Sequence, residues 1–358
     1  MAGLRLSNPS DIERGWFFFG AKPPVPHQAG EGSKRRKRKN DRIDANKLAR
    51  LRSRVEALSD PLCYYFVAAS EKLSMPSVIE TARWAAAQRA RESERSDRLF
   101  SDPLAAALAG EEGLAALELS EKYNPRHADT ANYISIRIRF FDDIALDGAV
   151  HGIRQIVLPA AGMDARAYRL PWPNGTMFYE LDHAELFAIK EKLLGRQSIT
   201  SKCKRIKIGT DLKQDWARLV VDSGFSANEP SMWIIEGLFY YLEEADVHHV
   251  LKQASNLAAS GSLLVTDLVS QSLLTSPWMQ QALKAMEERG IGWRFGTDDP
   301  AALFAQYGWE AEIKRPGEEG TKYNAQRFPN QPGHSMFSFF IVARQTHPEL
   351  ADHPTNVS

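Results

Sequence analysis

The sequence predicts an α/β fold: a mostly parallel, doubly wound sheet, preceded by N-terminal helices and finished by an antiparallel strand pair. Three observations carry this reading. Short apolar runs alternate with helical segments from residue 155 onward, the pattern of successive βαβ units. The residues that close these runs form a consistent acidic set. The length, 358 residues, suits one large α/β domain with an appendage and is thin for three cores.

Taken in order, residues 1–74 read as a separate basic segment, probed by composition alone. Lys22-Pro23-Pro24-Val25-Pro26, the glycines that follow and the run Lys34 to Lys39 favour an extended, solvated chain. Lys34 to Arg54 holds eleven basic residues against two acidic ones, so it carries +9 and the rest of the neutral chain −9. A nucleic-acid contact is one reading of this run and a solvated tail the simpler one. Lys39 to Leu51 resembles, over that window only, the DRIDA-type segment of transposases of the insertion-sequence 110 group; no transposase activity is inferred. Residues 1–74 are therefore expected to be disordered or a fused remnant, with Met75 a natural start for the enzyme.

The main domain is expected over residues 75–345 and a disordered tail over 346–358. A helix rich in Ala and Arg is predicted over Ile79 to Arg95, and Asp97 to Pro103 mark a turn and a new helix start. Tyr133 to Leu146 is a further amphipathic helix. Strands are predicted over Gln155 to Ala160, Met177 to Leu181, Arg205 to Ile208, Met232 to Ile235 and Leu263 to Thr266. Helices over Ala184 to Leu194, Trp216 to Asp222 and Glu243 to Ala259 separate them. Trp309 to Ile313 and Phe337 to Ala343 supply the final antiparallel pair.

Two cysteines, Cys63 and Cys203, make neither a disulfide framework nor a zinc site, which suits a cytoplasmic protein. The apolar runs are far shorter than the roughly 20 residues of a membrane span, so no membrane association is expected. No structural metal is implied.

In a doubly wound sheet, ligands bind beyond the carboxyl ends of the strands. The first strand is followed by Ala160-Ala161-Gly162-Met163-Asp164-Ala165-Arg166, small residues that let a ligand approach the backbone. The second ends in Glu180-Leu181-Asp182, a carboxylate suited to the paired hydroxyls of a ribose; a helix N-cap is the structural alternative. After the third strand, Asp211 is placed to accept an adenine amino group and Leu212 to cover a ring face, with a plain cap again the alternative. The fourth ends in Glu236-Gly237-Leu238. A buried Glu is costly without a partner, and a cationic or hydrogen-bonding ligand would explain it.

These sites describe a nucleoside pocket. A dinucleotide normally meets G-x-G-x-x-G, whose second glycine lets backbone reach a pyrophosphate. Ala160, Gly162 and Ala165 stand here instead, which disfavours a nicotinamide-dependent dehydrogenase. A phosphate-free nucleoside such as S-adenosyl-L-methionine fits better.

With these motifs the chain resembles the leucine carboxyl methyltransferase family, and its bacterial branch of S-adenosyl-L-methionine-dependent methyltransferases, over about Val78 to Arg344. The marks are Thr81-Ala82-Arg83-Trp84, Asp97-Arg98-Leu99-Phe100 with Asp102-Pro103, Arg137-Ile138-Arg139-Phe140-Phe141-Asp142, Ala160 to Leu170, Glu180-Leu181-Asp182, Thr210-Asp211-Leu212 and Glu236-Gly237-Leu238 with Tyr241-Leu242. The resemblance implies a Rossmann-like class I methyltransferase fold. It implies S-adenosyl-L-methionine as cofactor, with Ala161, Gly162, Asp164, Asp182, Asp211, Leu212, Glu236 and Gly237 lining its site. It also implies an arginine, Arg137 or Arg139, on the methionine carboxylate. The family's usual threonine is Ala165 here, which removes one hydrogen bond to the cofactor.

Methyl transfer from a sulfonium asks mainly for alignment and exclusion of water. A carboxylate acceptor is already ionised near neutral pH, and Arg137 with Tyr241 is placed to orient it. A hydroxyl acceptor needs a base, for which His183 and His248 are the candidates. The expected activity is O-methylation of a carboxylate or hydroxyl on a small molecule; the rival reading is a non-catalytic nucleoside-binding or nucleic-acid-associated fusion protein. The acceptor and the oligomeric state are not legible.

Overall fold

The computed structural model describes residues 78–346, apart from 124–126, 278, 289, 325 and 329–336. The expected basic segment 1–74, with Cys63, and the expected tail beyond Thr346 lie outside the described residues.

Three helices lead into the sheet: α1 Val78–Glu94, α2 Ala105–Tyr123 and α3 His127–Val150. Ala85, Ala86, Ala87 and Ala90 give α1 strong helix propensity and a slim profile. That slimness matters where α1 meets α2: a Cβ on Gly113 would sit 2.7 Å from the carbonyl oxygen of Arg83. A glycine is required there. Gly110, with φ 63°, breaks α2 near its start. α3 lays Phe140 and Phe141 against Phe340, with the Phe140 and Phe340 rings stacked at 5.3 Å, and so seals one face of the sheet.

The seven strands are β1 Gln155–Pro159, β2 Met177–Asp182, β3 Lys204–Gly209, β4 Ser231–Ile235, β5 Leu263–Val269, β6 Trp309–Lys314 and β7 Ser338–Gln345. Their order is β3-β2-β1-β4-β5-β7-β6. The first five run parallel, and β7 inserts antiparallel between β5 and β6. β1, β4 and β5 are buried throughout, as parallel strands covered on both faces are. Crossovers are carried by α4 Arg166–Arg169, α5 Ala184–Leu194, α6 Ala217–Asp222 and α7 Glu244–Leu257. α8 Gln271–Thr275, α9 Gln280–Glu287, α10 Pro300–Ala305 and α11 Pro316–Asn324 follow β5 and were not anticipated from sequence. No described helix is long and apolar enough to cross a membrane.

Strand order reverses between β1 and β4, each flanked by neighbours that run outward in opposite directions. That is the switch point at which an open parallel sheet leaves a crevice at its carboxyl edge.

Candidate cofactor and acceptor site

Beyond Pro159 the chain turns through Ala160 (φ 54°) and Gly162 (φ 49°), both left-handed. For alanine this conformation costs roughly 1–2 kcal/mol, so the turn must be held from outside. β2 holds it: Ala161 N–H donates to the Leu181 carbonyl at 3.0 Å, and Gly162 N–H to Asp182 Oδ2 at 2.7 Å. Asp182 Oδ1 accepts the His183 N–H at 2.7 Å. The carboxylate therefore braces a turn rather than capping α5, whose N-cap residue is His183. Burial lifts the Asp182 carboxyl above the usual aspartate range, against these two N–H groups, which favour its charged form.

The ends of β4 and β5 are fixed by charge. Arg137, on α3, donates through Nε to Glu236 Oε1 at 3.1 Å and through Nη1 to Asp267 Oδ2 at 2.8 Å and the Tyr240 hydroxyl at 3.3 Å. Arg166, 1% exposed, reaches Asp142 at 2.8 Å, Asp164 at 2.5 Å and Glu236 at 2.7 Å. Asp267 Oδ1 accepts the N–H of Gly237, which has φ 65°. Burial opposes the charge on Glu236, but Arg166 and Arg137 outweigh it and hold that carboxyl below the usual glutamate range. Asp164 is lowered in the same way, with Arg166 the main cation.

One cavity of about 380 Å³ opens on these groups. Of the residues expected from sequence, Arg137, Ala161, Gly162, Asp164, Asp182, Asp211, Leu212, Glu236, Gly237 and Tyr241 all line it. Arg139 does not: its side chain pairs with Asp143 at 2.9 Å and the Leu99 carbonyl at 2.9 Å. Glu236, for which a cationic or hydrogen-bonding ligand is the explanation the sequence offers, is paired within the chain by Arg137 and Arg166. Asp211 turns its carboxylate onto the Lys213 N–H at 3.0 Å, well ahead of α6, and is no helix cap. His183 lines the cavity, whereas His248 packs on Tyr307 away from it.

Sequence reasoning gave no role to Arg166, Asp142 or Asp267. Asp267 carried the same signal as the others, an acid after an apolar strand; Arg166 and Asp142 are joined only by the fold.

The residues present fit a phosphate-free nucleoside. The carboxylates of Asp182 and Asp211, both lining the cavity, suit hydroxyl and amino donors. Gly237 has φ 65°, a conformation that L side chains rarely adopt, and a Cβ there would meet the Tyr240 hydroxyl at 3.3 Å.

Comparison with known proteins agrees. Residues 82–255 match the family model described as leucine carboxyl methyltransferase. A protein of Parafrankia sp. (strain EAN1pec), classed by name among S-adenosyl-L-methionine-dependent methyltransferases, is 34% identical over 72% of this chain and 84% of its own length. A Streptomyces avermitilis protein of the same class is also 34% identical, over 71% of this chain and 90% of its own. Among solved structures, a DUF574 family protein from Streptomyces avermitilis MA-4680 covers 73% of this chain and 96% of its own at 13% identity and a TM-score of 0.51, a likeness of fold. The chain belongs to the leucine carboxyl methyltransferase family and is an S-adenosyl-L-methionine-dependent methyltransferase.

Proposed function

We propose that this methyltransferase methylates an oxygen, carboxylate or hydroxyl, of a small molecule by in-line transfer. The supporting observation is that carboxylates closing β2 and β4, and Asp211 after β3, border a single cavity with the Gly162 turn. In this reading Asp182 takes the ribose hydroxyls, Asp211 and Leu212 the adenine, and Arg137 the methionine carboxylate. When bound, the cofactor supplies a methyl group on a positively charged sulfur, so the displacement neutralises charge and needs little proton transfer.

The chain's task is alignment in a dry site. Tyr241 borders the cavity, and burial pushes its phenol up to about 12, so it stays protonated and donates a hydrogen bond to the acceptor oxygen. A carboxylate needs nothing further. For a hydroxyl, His183 is the one candidate base that reaches the cavity.

The test is incubation with a small-metabolite extract and the cofactor carrying a trideuterated methyl, followed by mass spectrometry. A labelled product that loses its methyl in mild base is a carboxylate ester, and one that keeps it is an ether. Label found only on nitrogen, sulfur or carbon would contradict O-methylation.

A further inference from the structure

The carboxyl edge of the sheet carries the same device twice, once on each side of the switch point. Pro159 of β1 is paired with Leu181 of β2, and the next residue of β2, Asp182, accepts the Gly162 N–H at 2.7 Å. Ile235 of β4 is paired with Thr266 of β5, and the next residue of β5, Asp267, accepts the Gly237 N–H at 2.7 Å. Both glycines are left-handed, with φ 49° and 65°, a backbone state that suits a residue without a Cβ. The two carboxylates differ in what they face. Asp182 borders the cavity, whereas Asp267 is fully buried outside its lining and touches Arg137, which is part of it.

The second oxygen of Asp267 is committed to that arginine. Arg137 Nη1 donates to Oδ2 at 2.8 Å, and the Tyr133 hydroxyl donates to the same oxygen at 3.3 Å. The Tyr133 ring centroid stands 5.8 Å from the guanidinium carbon. Nη1 also donates to the Tyr240 hydroxyl at 3.3 Å, and Nε to Glu236 at 3.1 Å. A buried ion pair adds little net stability, because both charges give up water, and fixing a long arginine side chain costs rotamer freedom. What this pair gains is orientation: a planar fork of donors, held in one pose before the ligand arrives, is ready for a carboxylate.

We propose that Asp267 is a positioning residue for Arg137, and that through it the site selects ligands carrying the methionine carboxylate over methylthioadenosine, which lacks it. The inference rests on the assignment of Arg137 to that carboxylate. Oδ1 fixes the Gly237 turn and Oδ2 the guanidinium, so one buried carboxylate sets the arginine against the backbone beside it. An asparagine there keeps a carbonyl for the Gly237 N–H but turns an amide N–H onto Arg137 Nη1. Two donors then face each other, and the guanidinium is driven out of its pose. The adenosine end, assigned to Asp182 and Asp211, is left as it was.

The test is titration calorimetry of S-adenosylhomocysteine and methylthioadenosine into the full chain, with circular dichroism as the check on folding. Asp267→Asn is expected to weaken S-adenosylhomocysteine by about tenfold, the worth of a hydrogen bond to a charged group, and to leave methylthioadenosine unchanged. In an Arg137→Lys background the same substitution should cost S-adenosylhomocysteine less than it does in the wild type, since both changes act on one contact. Tyr133→Phe keeps the ring and removes only the hydroxyl on Oδ2; it should weaken S-adenosylhomocysteine by about two- to threefold, again sparing methylthioadenosine. That variant carries the test where Asp267→Asn does not fold. Equal losses for the two ligands, no loss for either, or full additivity with Arg137→Lys would mean that Asp267 serves the sheet edge alone, and overturns the proposal. Equal losses of both ligands in Arg137→Lys itself overturn the assignment of Arg137. Failure of S-adenosylhomocysteine to bind the wild type overturns the cofactor reading, and this inference with it.

Discussion

Asp182 accepts the backbone N–H of Gly162 at 2.7 Å, so the end of β2 fixes the left-handed turn that follows β1. One carboxylate thus shapes the turn and faces the cavity. Its protonation state therefore couples the backbone of the site to ligand binding.

Acidification should reveal that coupling. Burial raises the Asp182 pKa, and a ribose diol is best held by the charged form. Affinity for S-adenosylhomocysteine is expected to fall with decreasing pH before an exposed aspartate, near pH 3.9, would titrate. Calorimetry across pH 4 to 7 checks this, and Asp182→Asn should flatten the dependence.

Glu236 and Asp164 have the opposite sign. Their folded-state values lie below their unfolded ones, so each contributes stability that is full above about pH 4.5 and is lost as pH falls toward the lowered value. The melting temperature should drop steeply below about pH 4. In Glu236→Gln the acid-side slope should be shallower.

Arg166 is the hub of three carboxylates, Asp142, Asp164 and Glu236. Arg166→Met leaves them buried together with one cation fewer. The expected loss is about 3–5 kcal/mol, the usual cost of breaking a buried ion cluster, read from urea unfolding.

How far the sequence spoke depends on the range of the interaction. Apolar runs ending in Asp182 and Glu236 were legible because a strand and its terminal acid are local features. The helix predicted over Ile79 to Arg95 lies one residue from α1 at each end. Two features were not legible. β7 inserts between β5 and β6, a pairing set by sheet completion, and Arg166 meets Glu236 across 70 residues of chain. The sequence showed that Glu236 needs a partner, but only the fold showed that Arg137 and Arg166 of the chain pair with it.

Arg137 and Arg139 are two residues apart and face different tasks. Arg139 has a side chain 42% exposed and an i,i+4 partner; Arg139→Leu should cost about 1 kcal/mol or less and leave cofactor affinity unchanged. Arg137→Lys should weaken S-adenosylhomocysteine by about tenfold or more. It should spare methylthioadenosine, which lacks the amino-acid carboxylate. Equal losses for both ligands would place Arg137 in the scaffold alone.

The most direct measurement is titration calorimetry of S-adenosyl-L-methionine into the wild-type chain and into Asp182→Ala, with circular dichroism to show that both are folded. The wild type should bind saturably at one site, and the variant about 10- to 100-fold more weakly, as expected for losing hydrogen bonds to a charged group. Equal affinity in the two folded proteins, or no saturable binding by the wild type, would contradict a nucleoside site built on the strand-end carboxylates.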